Sequence, residues 1–162
     1  SRLLSEDDIR VSIGSNHIRV TGADYCFTSK LVDGAYPDYD RVVPKGGDKL
    51  VVGDREQLKQ AFGRTAILSN EKYRGVRIAL ANGAMHLVAN NPEQEEAQEE
   101  VTVAYSGEPL EIGFNVSYLL DVLNVLKGSE IRFTLADSNS SALVEDASGE
   151  SKATYVVMPM RL

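Results

Sequence analysis

Cysteine is almost absent from this sequence, since Cys26 is the only one among 162 residues. The chain therefore forms no internal disulfide and no cysteine-based metal cluster. No apolar stretch approaches the roughly 20 residues that cross a bilayer, and residues 1–8 lack the apolar segment of a signal peptide. These absences predict a soluble protein of a reducing compartment, the cytoplasm, without a membrane partner.

Catalytic motifs are also missing. Cys26 has no sequence context typical of a nucleophile, and the two histidines, His17 and His86, lie singly in strand-like patterns without metal-ligand spacing. The glycine pair at residues 46–47 lacks the following Lys-Ser or Lys-Thr of a phosphate-binding loop. The sequence thus favours a protein that is not an enzyme and needs no metal or cofactor.

One enzymatic alternative is a metal-dependent hydrolase or nuclease. Asp38, Asp40 and the acidic cluster of residues 93–100 could supply oxygen ligands to magnesium. A two-metal site needs carboxylates that converge from different elements, and the sequence places no histidine beside these residues. Magnesium-dependent cleavage or extension of DNA, lost on changing Asp38 or Asp40, would support this alternative.

Positive charge is in deficit. The formal net charge is -7 and the isoelectric point is near 4.9. A protein of this charge repels nucleic acid on average, so any contact with DNA must come from a local cluster of lysines and arginines.

The sequence contains an internal repeat of three similar segments. Residues 9–14, 76–81 and 131–136 each alternate an apolar residue with a small or charged one, which predicts a strand. Each is followed by a turn-forming cluster, such as Asn82-Gly83, and by a second apolar run. This arrangement predicts three β-hairpins.

Two helices are predicted, from Asp54 to about Leu68 and from Asn115 to about Lys127. Asp54 and Asn115 suit the N-cap position, because their side-chain oxygens accept from the unpaired N–H groups of the first turn. Apolar residues fall on one arc of each helix, so each is expected to pack one face against a sheet. Each helix follows a strand-like run and precedes several strands.

The repeat also predicts the domain organisation. Residues 3–9 align with 125–131, and 122 positions separate Ile9 from Ile131. We therefore expect residues 1–40 to be the C-terminal half of a truncated domain and residues 41–162 to be a complete one, with a linker near residues 34–40. The predicted fold class is α+β, built from repeated strand-helix-strand meander units whose helices pack on antiparallel sheets.

Five separated runs resemble the bacterial DNA polymerase III beta subunit family, the sliding clamps, in order and spacing: residues 27–34, 66–72, 89–96, 113–118 and 155–162. The resemblance implies the DNA-clamp fold. In that family three similar domains form a protomer, and two protomers close head to tail into a ring around duplex DNA. Residues 1–40 would belong to the middle domain and 41–162 would be the third.

The resemblance implies a processivity factor of DNA replication, a non-catalytic part of the DNA polymerase holoenzyme. In the family a groove between the middle and third domains binds short peptides of the replicative polymerase, the clamp loader and other partners. The matching positions are Pro37, Arg41, Val42, Asn115, Tyr118, Ser138, Ser141, Val156, Met158, Pro159, Met160, Arg161 and Leu162. Flexible methionines suit varied apolar anchors; the alternative is an edge strand whose methionines fill the core.

A second implied surface meets DNA phosphates without reading bases, which permits sliding. Its residues are Arg55, Lys59, Arg64, Lys72, Arg74 and Lys127. The alternative for each is an ordinary solvated side chain.

A third implied surface closes the homodimer. Ile67 and Leu68 match an apolar patch of the family, and the nearby acidic strand offers Glu93, Glu95 and Glu96 to basic residues across the interface. The alternatives are core packing for the patch and a solvated face for the acids. A generic protein-interaction module without ring function would share the groove but would not be retained on circular DNA.

Overall fold

The strand pattern repeated along the sequence forms β-hairpins in the computed structural model, which describes residues 8–36, 38–149 and 151–161. Each of the three predicted first strands pairs antiparallel with the apolar run that follows it. In the second hairpin Asn82 and Gly83 have φ angles of 50° and 80°. This left-handed conformation is the one that a two-residue type I′ turn requires. The predicted hairpins are confirmed.

The chain divides into two compact units, Ser1–Asp38 and Tyr39–Leu162. The first contains one antiparallel sheet in the order β1-β2-β3, formed by Arg10–Ile13, His17–Thr21 and Cys26–Lys30. Most of residues 3–9, on which the repeat alignment depends, lie outside the described residues. No helix in the described part of the chain is long and apolar enough to cross a membrane.

The second unit contains two consecutive copies of one pattern, a strand, a helix and three further strands. After a 3-10 helix at Tyr39–Arg41, the first copy comprises β4 (Lys49–Asp54), α1 (Arg55–Ile67), β5 (Gly75–Ala81), β6 (Ala84–Asn90) and β7 (Glu96–Thr102). The second comprises β8 (Leu110–Asn115), α2 (Val116–Val125), β9 (Glu130–Leu135), β10 (Ala142–Asp146) and β11 (Thr154–Val157).

The two copies exchange their first strands. One sheet has the order β11-β10-β9-β4 and the other β7-β6-β5-β8, so each three-stranded meander is completed by the strand that precedes the other copy's helix. All of these pairings are antiparallel. The exchange ties the two copies into one unit, because neither sheet is complete without a strand from the other copy.

The helices pack their apolar arcs as predicted. Leu58, Ala61, Phe62 and Thr65 of α1 are buried, and so are Val116, Leu119, Val122 and Leu123 of α2. The apolar side chains among them join the alternate inward residues of the strands in one hydrophobic cluster. The core therefore lies between the helices and the sheets, and the opposite faces of α1 and α2 remain available for contacts.

The helix starts agree with the prediction, and one helix end does not. The Asp54 carboxylate accepts from the Gln57 N–H at 2.8 Å, and the Asn115 side-chain oxygen accepts from the Ser117 N–H at 2.9 Å. The expectation that α2 extends to Lys127 was wrong. The helix ends at Val125, because Leu126 has an extended backbone and buries its side chain.

The acidic run was also partly mispredicted. Glu93 and Glu95 lie in a loop, and β7 begins only at Glu96. The cause is Gln94, whose φ of 66° is incompatible with a strand and turns the chain. Asn91 stabilises this loop by accepting from the Glu95 N–H at 2.9 Å and donating to the Glu95 carboxylate at 2.7 Å.

A buried carboxylate fixes the connection after α2. Asp146, at the end of β10, is only 3% exposed and accepts from both the backbone N–H and the hydroxyl of Ser148. A Cβ at Gly128 would overlap this carboxylate. Gly128 therefore lets the chain that leaves α2 pass against β10.

Asp146 should make stability depend on acid pH. The hydrogen bonds from the Ser148 hydroxyl and N–H lower the pKa of its carboxyl, whereas an unfolded aspartate has a pKa of about 3.9. The stabilisation is therefore complete above that unfolded value and is lost as pH falls through the lower folded pKa. We expect Asp146→Asn to be less stable than the parent protein at pH 7, with the difference narrowing below about pH 4. Denaturant unfolding across a pH series measures this, and a constant difference would contradict it.

Candidate functional site

The two helices lie antiparallel, and Arg55 joins the start of α1 to the end of α2. Its guanidinium donates to the carbonyl oxygens of Gly128 at 3.0 Å and Leu123 at 3.3 Å. The backbone N–H of Arg55 donates to the Ser129 carbonyl at 2.8 Å. A cation is favourable here, because the last carbonyls of a helix lack intrahelical partners and carry partial negative charge.

Arg74 makes the corresponding connection at the other end of the helix pair. Its guanidinium donates to the carbonyl oxygen of Ala66, in the last turn of α1, at 3.1 Å. It also reaches the Ser117 hydroxyl, in the first turn of α2, at 3.4 Å. The Arg74 carbonyl accepts from the Val116 N–H at 2.8 Å. Arg55 and Arg74 thus bracket the helix pair.

Arg64 is held by a carboxylate of the neighbouring sheet. Its guanidinium donates to both oxygens of Glu99 in β7, at 2.5 and 3.0 Å. This hydrogen-bonded pair lowers the pKa of the Glu99 carboxyl and raises that of Arg64. The planar fork of a guanidinium matches a carboxylate in this bidentate geometry. The pair therefore attaches the exposed side of α1 to β7.

The three lysines predicted to face DNA are less constrained. Among the described residues, the side chain of neither Lys59 nor Lys127 makes a hydrogen bond or an ion pair. The ammonium of Lys72 lies 5.1 Å from the centre of the Tyr73 ring. Lys127 follows the end of α2, Lys59 lies in α1, and Lys72 lies in the loop after α1. The six predicted cations thus lie in α1 or just beyond the end of a helix, and they differ in how they are held.

The C-terminal tail leaves the sheet that contains β11 and contacts β8, an edge strand of the β7-β6-β5-β8 sheet. After β11, the Met160 N–H donates to the Gly113 carbonyl of β8 at 2.8 Å. Met160 and Arg161 border two clefts of about 350 and 500 Å³. Met158 is 72% exposed. The tail therefore presents one flexible apolar side chain to solvent and anchors another beside two clefts.

Other predicted groove residues differ in surroundings. Ser138 lines the smaller cleft with Met160 and Arg161, in a loop where the Asp137 carboxylate accepts from the N–H groups of Asn139 and Ser140. These bonds lower the pKa of Asp137.

Asn115 caps α2 and also donates to the Tyr73 carbonyl at 3.2 Å, and Tyr118 is 59% exposed in the first turn of α2. Arg41 ends the 3-10 helix and Val42 follows it, exposed. Ser141, Val156 and Pro159 are half-buried, with Val156 in β11. Pro37 and Leu162 lie outside the described residues. Ser138, Met160 and Arg161 thus share a cleft.

The predicted dimer residues converge on one surface. Ile67, Leu68, Glu93 and Glu95 line a single cleft of about 550 Å³. Ile67 is 76% exposed at the last position of α1, whereas Leu68 is half-buried. Glu96, at the start of β7, accepts from the Gln98 side chain. β7 is an edge strand of its sheet. An exposed apolar residue beside acids and an open strand edge has the features of a contact surface.

Sequence reasoning missed the residues that hold these surfaces in place. Glu99 lies 35 positions from Arg64, and Gly128 lies 73 positions from Arg55. Pairs so distant in sequence give no local pattern. Sequence reasoning therefore identified the arginines but not the residues that accept their hydrogen bonds. Among the described residues, no group of three or more His, Cys, Asp or Glu side chains is placed to hold a metal ion.

Comparisons with known proteins give the family. Residues 40–161 match the family model of the DNA polymerase III beta subunit, C-terminal domain. The beta sliding clamp of Pseudomonas aeruginosa is 65% identical over 164 residues, which cover 100% of this chain and 44% of that protein. A crystal structure of the DNA polymerase III subunit beta of that organism has a TM-score of 0.84 and 64% identity, covering 99% of this chain and 45% of its own. Another, of its sliding clamp bound to griselimycin, has a TM-score of 0.80 and 64% identity, with 99% and 44% covered.

These similarities confirm the predicted α+β clamp fold. The chain spans less than half the length of the curated relatives that it matches.

Proposed function

Because this chain belongs to the DNA polymerase III beta subunit family, the sliding clamps, we propose that it acts in a replication processivity factor. Residues 1–40 form the C-terminal half of the middle domain of this clamp and residues 41–162 form its third domain. The complete protein closes as a homodimeric ring around duplex DNA, in the cytoplasm, and performs no nucleotidyl transfer itself. The family match over residues 40–161 carries this proposal.

The helix pair supplies the proposed DNA surface. Its two helices pack their apolar arcs inward and leave the opposite faces available. Lys59 lies in α1, and Lys72 and Lys127 lie just beyond the ends of the two helices, in a chain whose net charge is -7. A local basic surface on an acidic protein attracts the phosphate backbone without reading bases. This is the kind of contact that a ring needs if it is to move along DNA of any sequence.

The tail supplies one wall of the proposed peptide groove. Exposed Met158 and Tyr118 offer adaptable apolar surface to the tails of the replicative polymerase, the clamp loader and other partners. Arg161 lies beside the clefts that flank Met160 and can orient an anionic peptide. Ring closure uses a separate surface, the exposed Ile67 with Leu68, Glu93, Glu95 and Glu96.

A chimera tests this function. In the clamp chimera, this chain replaces the aligned segment of the Pseudomonas aeruginosa beta sliding clamp. We expect it to support long primer-extension products with the polymerase and clamp loader of that organism. The change Ile67→Asp in the clamp chimera should shorten the products by placing a charge in the apolar closure surface, whereas the conservative Ile67→Leu should not. A folded clamp chimera that gives only short products would contradict the proposed function and favour an interaction module without a ring.

A further inference from the structure

The six basic residues around the helix pair divide by residue type. All three arginine guanidinium groups donate hydrogen bonds to acceptors within the protein. The ammonium groups of the three lysines donate to no acceptor among the described residues. We propose that Lys59, Lys72 and Lys127 make the phosphate contacts, and that Arg55, Arg64 and Arg74 position the helices that present them. This division deepens the proposed DNA contact and rests on it.

The arginine guanidinium groups already donate hydrogen bonds within the protein. Arg55 and Arg74 each donate to the carbonyl of a residue in the last turn of a helix, and each also reaches a second acceptor in the other helix or beyond its end. Arg64 donates two hydrogen bonds to the Glu99 carboxylate. A phosphate that took any of these donors would leave a carbonyl or carboxylate without its partner, which opposes the exchange.

The lysines are distributed along the helix pair. Lys127 adjoins Gly128, whose carbonyl accepts from Arg55 at the start of α1, and Lys72 lies in the loop that leaves the end of α1. Lys59 lies between them in α1, a helix of 13 residues. Such a helix is about 20 Å long, and duplex DNA advances about 3.4 Å per phosphate along each strand. The three lysines are therefore spread over roughly 20 Å of the helix pair, a distance that corresponds to several phosphates of a DNA strand.

The chemistry of the two side chains explains the division. Lysine is a strongly hydrated point charge on a flexible stem, so it attracts phosphate without a fixed geometry. A free guanidinium binds phosphate through a bidentate fork, which favours one register on the backbone. Engaging the arginines within the protein and leaving the lysines available thus gives attraction that tolerates movement. Glu99 has a specific part in this, because its negative charge, held against the Arg64 guanidinium, offsets the attraction of that arginine for phosphate.

The test measures the salt dependence of DNA binding. Fluorescence anisotropy of a short linear duplex with the clamp chimera gives the slope of log K against log salt. Each phosphate contact contributes about 0.9 to the magnitude of this slope. We expect Lys59→Gln, Lys72→Gln and Lys127→Gln together to reduce it by about 2 to 3. Glu99→Gln should increase it by up to about 0.9, because the negative charge that offsets Arg64 is removed.

The matched control is the double variant Arg64→Gln with Glu99→Gln, which removes the pair at constant net charge. It should leave the salt slope unchanged and lower the thermal midpoint. The division is overturned if the triple lysine variant keeps the slope of the parent clamp chimera, or if the double variant loses as much slope as a single lysine variant. Salt-independent binding by the parent clamp chimera would instead contradict the proposed DNA contact itself.

Discussion

Replacing Phe62 with alanine is expected to lower the free energy of unfolding by about 3–5 kcal/mol, a typical cost for a buried aromatic residue. Phe62 is fully buried on the inward arc of α1, within the cluster that joins the helices to the sheets. The change removes apolar contacts and leaves a cavity that the exchanged strands cannot close without shifting. Urea unfolding followed by circular dichroism measures the effect.

Ile67 gives the matched control for this prediction. It lies in the same helix but is 76% exposed, so Ile67→Ala should change the free energy of unfolding by no more than about 0.5 kcal/mol. Equal destabilisation by the two changes would contradict the assignment of Phe62 to the core and of Ile67 to the surface. For assembly of the clamp chimera into a ring, Ile67→Ala should have a larger effect than Phe62→Ala, because Ile67 is the residue proposed to close the ring.

Removing Met160, Arg161 and Leu162 from the clamp chimera is expected to abolish capture of a polymerase-tail peptide. Met160 and Arg161 border both clefts, of which the smaller is also lined by β8. The described backbone anchor lost with them is the Met160 N–H bond to the Gly113 carbonyl, and a bond of this kind contributes about 1 kcal/mol. The thermal midpoint should therefore change little. Peptide anisotropy and a thermal melt on the same samples separate binding from folding.

Lys152→Ala is the control for the tail deletion, because Lys152 is an exposed residue of the connection between β10 and β11. It should leave both peptide affinity and the thermal midpoint unchanged. Unchanged peptide affinity after the deletion would remove the tail from the proposed groove.

Local signals predicted the elements of this fold well. Asp54 and Asn115 cap their helices as their side chains indicate, and Asn82-Gly83 forms the turn that its residue types favour. The errors also have local causes. Gln94 adopts a positive φ that an acidic strand would not contain, and Leu126 leaves the helix to bury its side chain.

Long-range features could not be predicted in the same way. The exchange of β4 and β8 between the two copies depends on pairings such as Val51 with Phe133, which no local pattern specifies. The candidate DNA surface shows the same limit. The helix pattern and the family resemblance identified its lysines and arginines, but the acceptors that engage the arginines come from distant parts of the chain.

Retention on circular DNA tests the central proposal most directly. The clamp chimera is loaded onto nicked circular duplex DNA, separated from free protein at high salt, and then followed after a single cut linearises the circle. A ring should stay on the circle despite the salt, because the link is topological, and should leave the linear DNA from its ends. Loss from circular and linear DNA at the same rate would contradict the clamp function proposed for this chain.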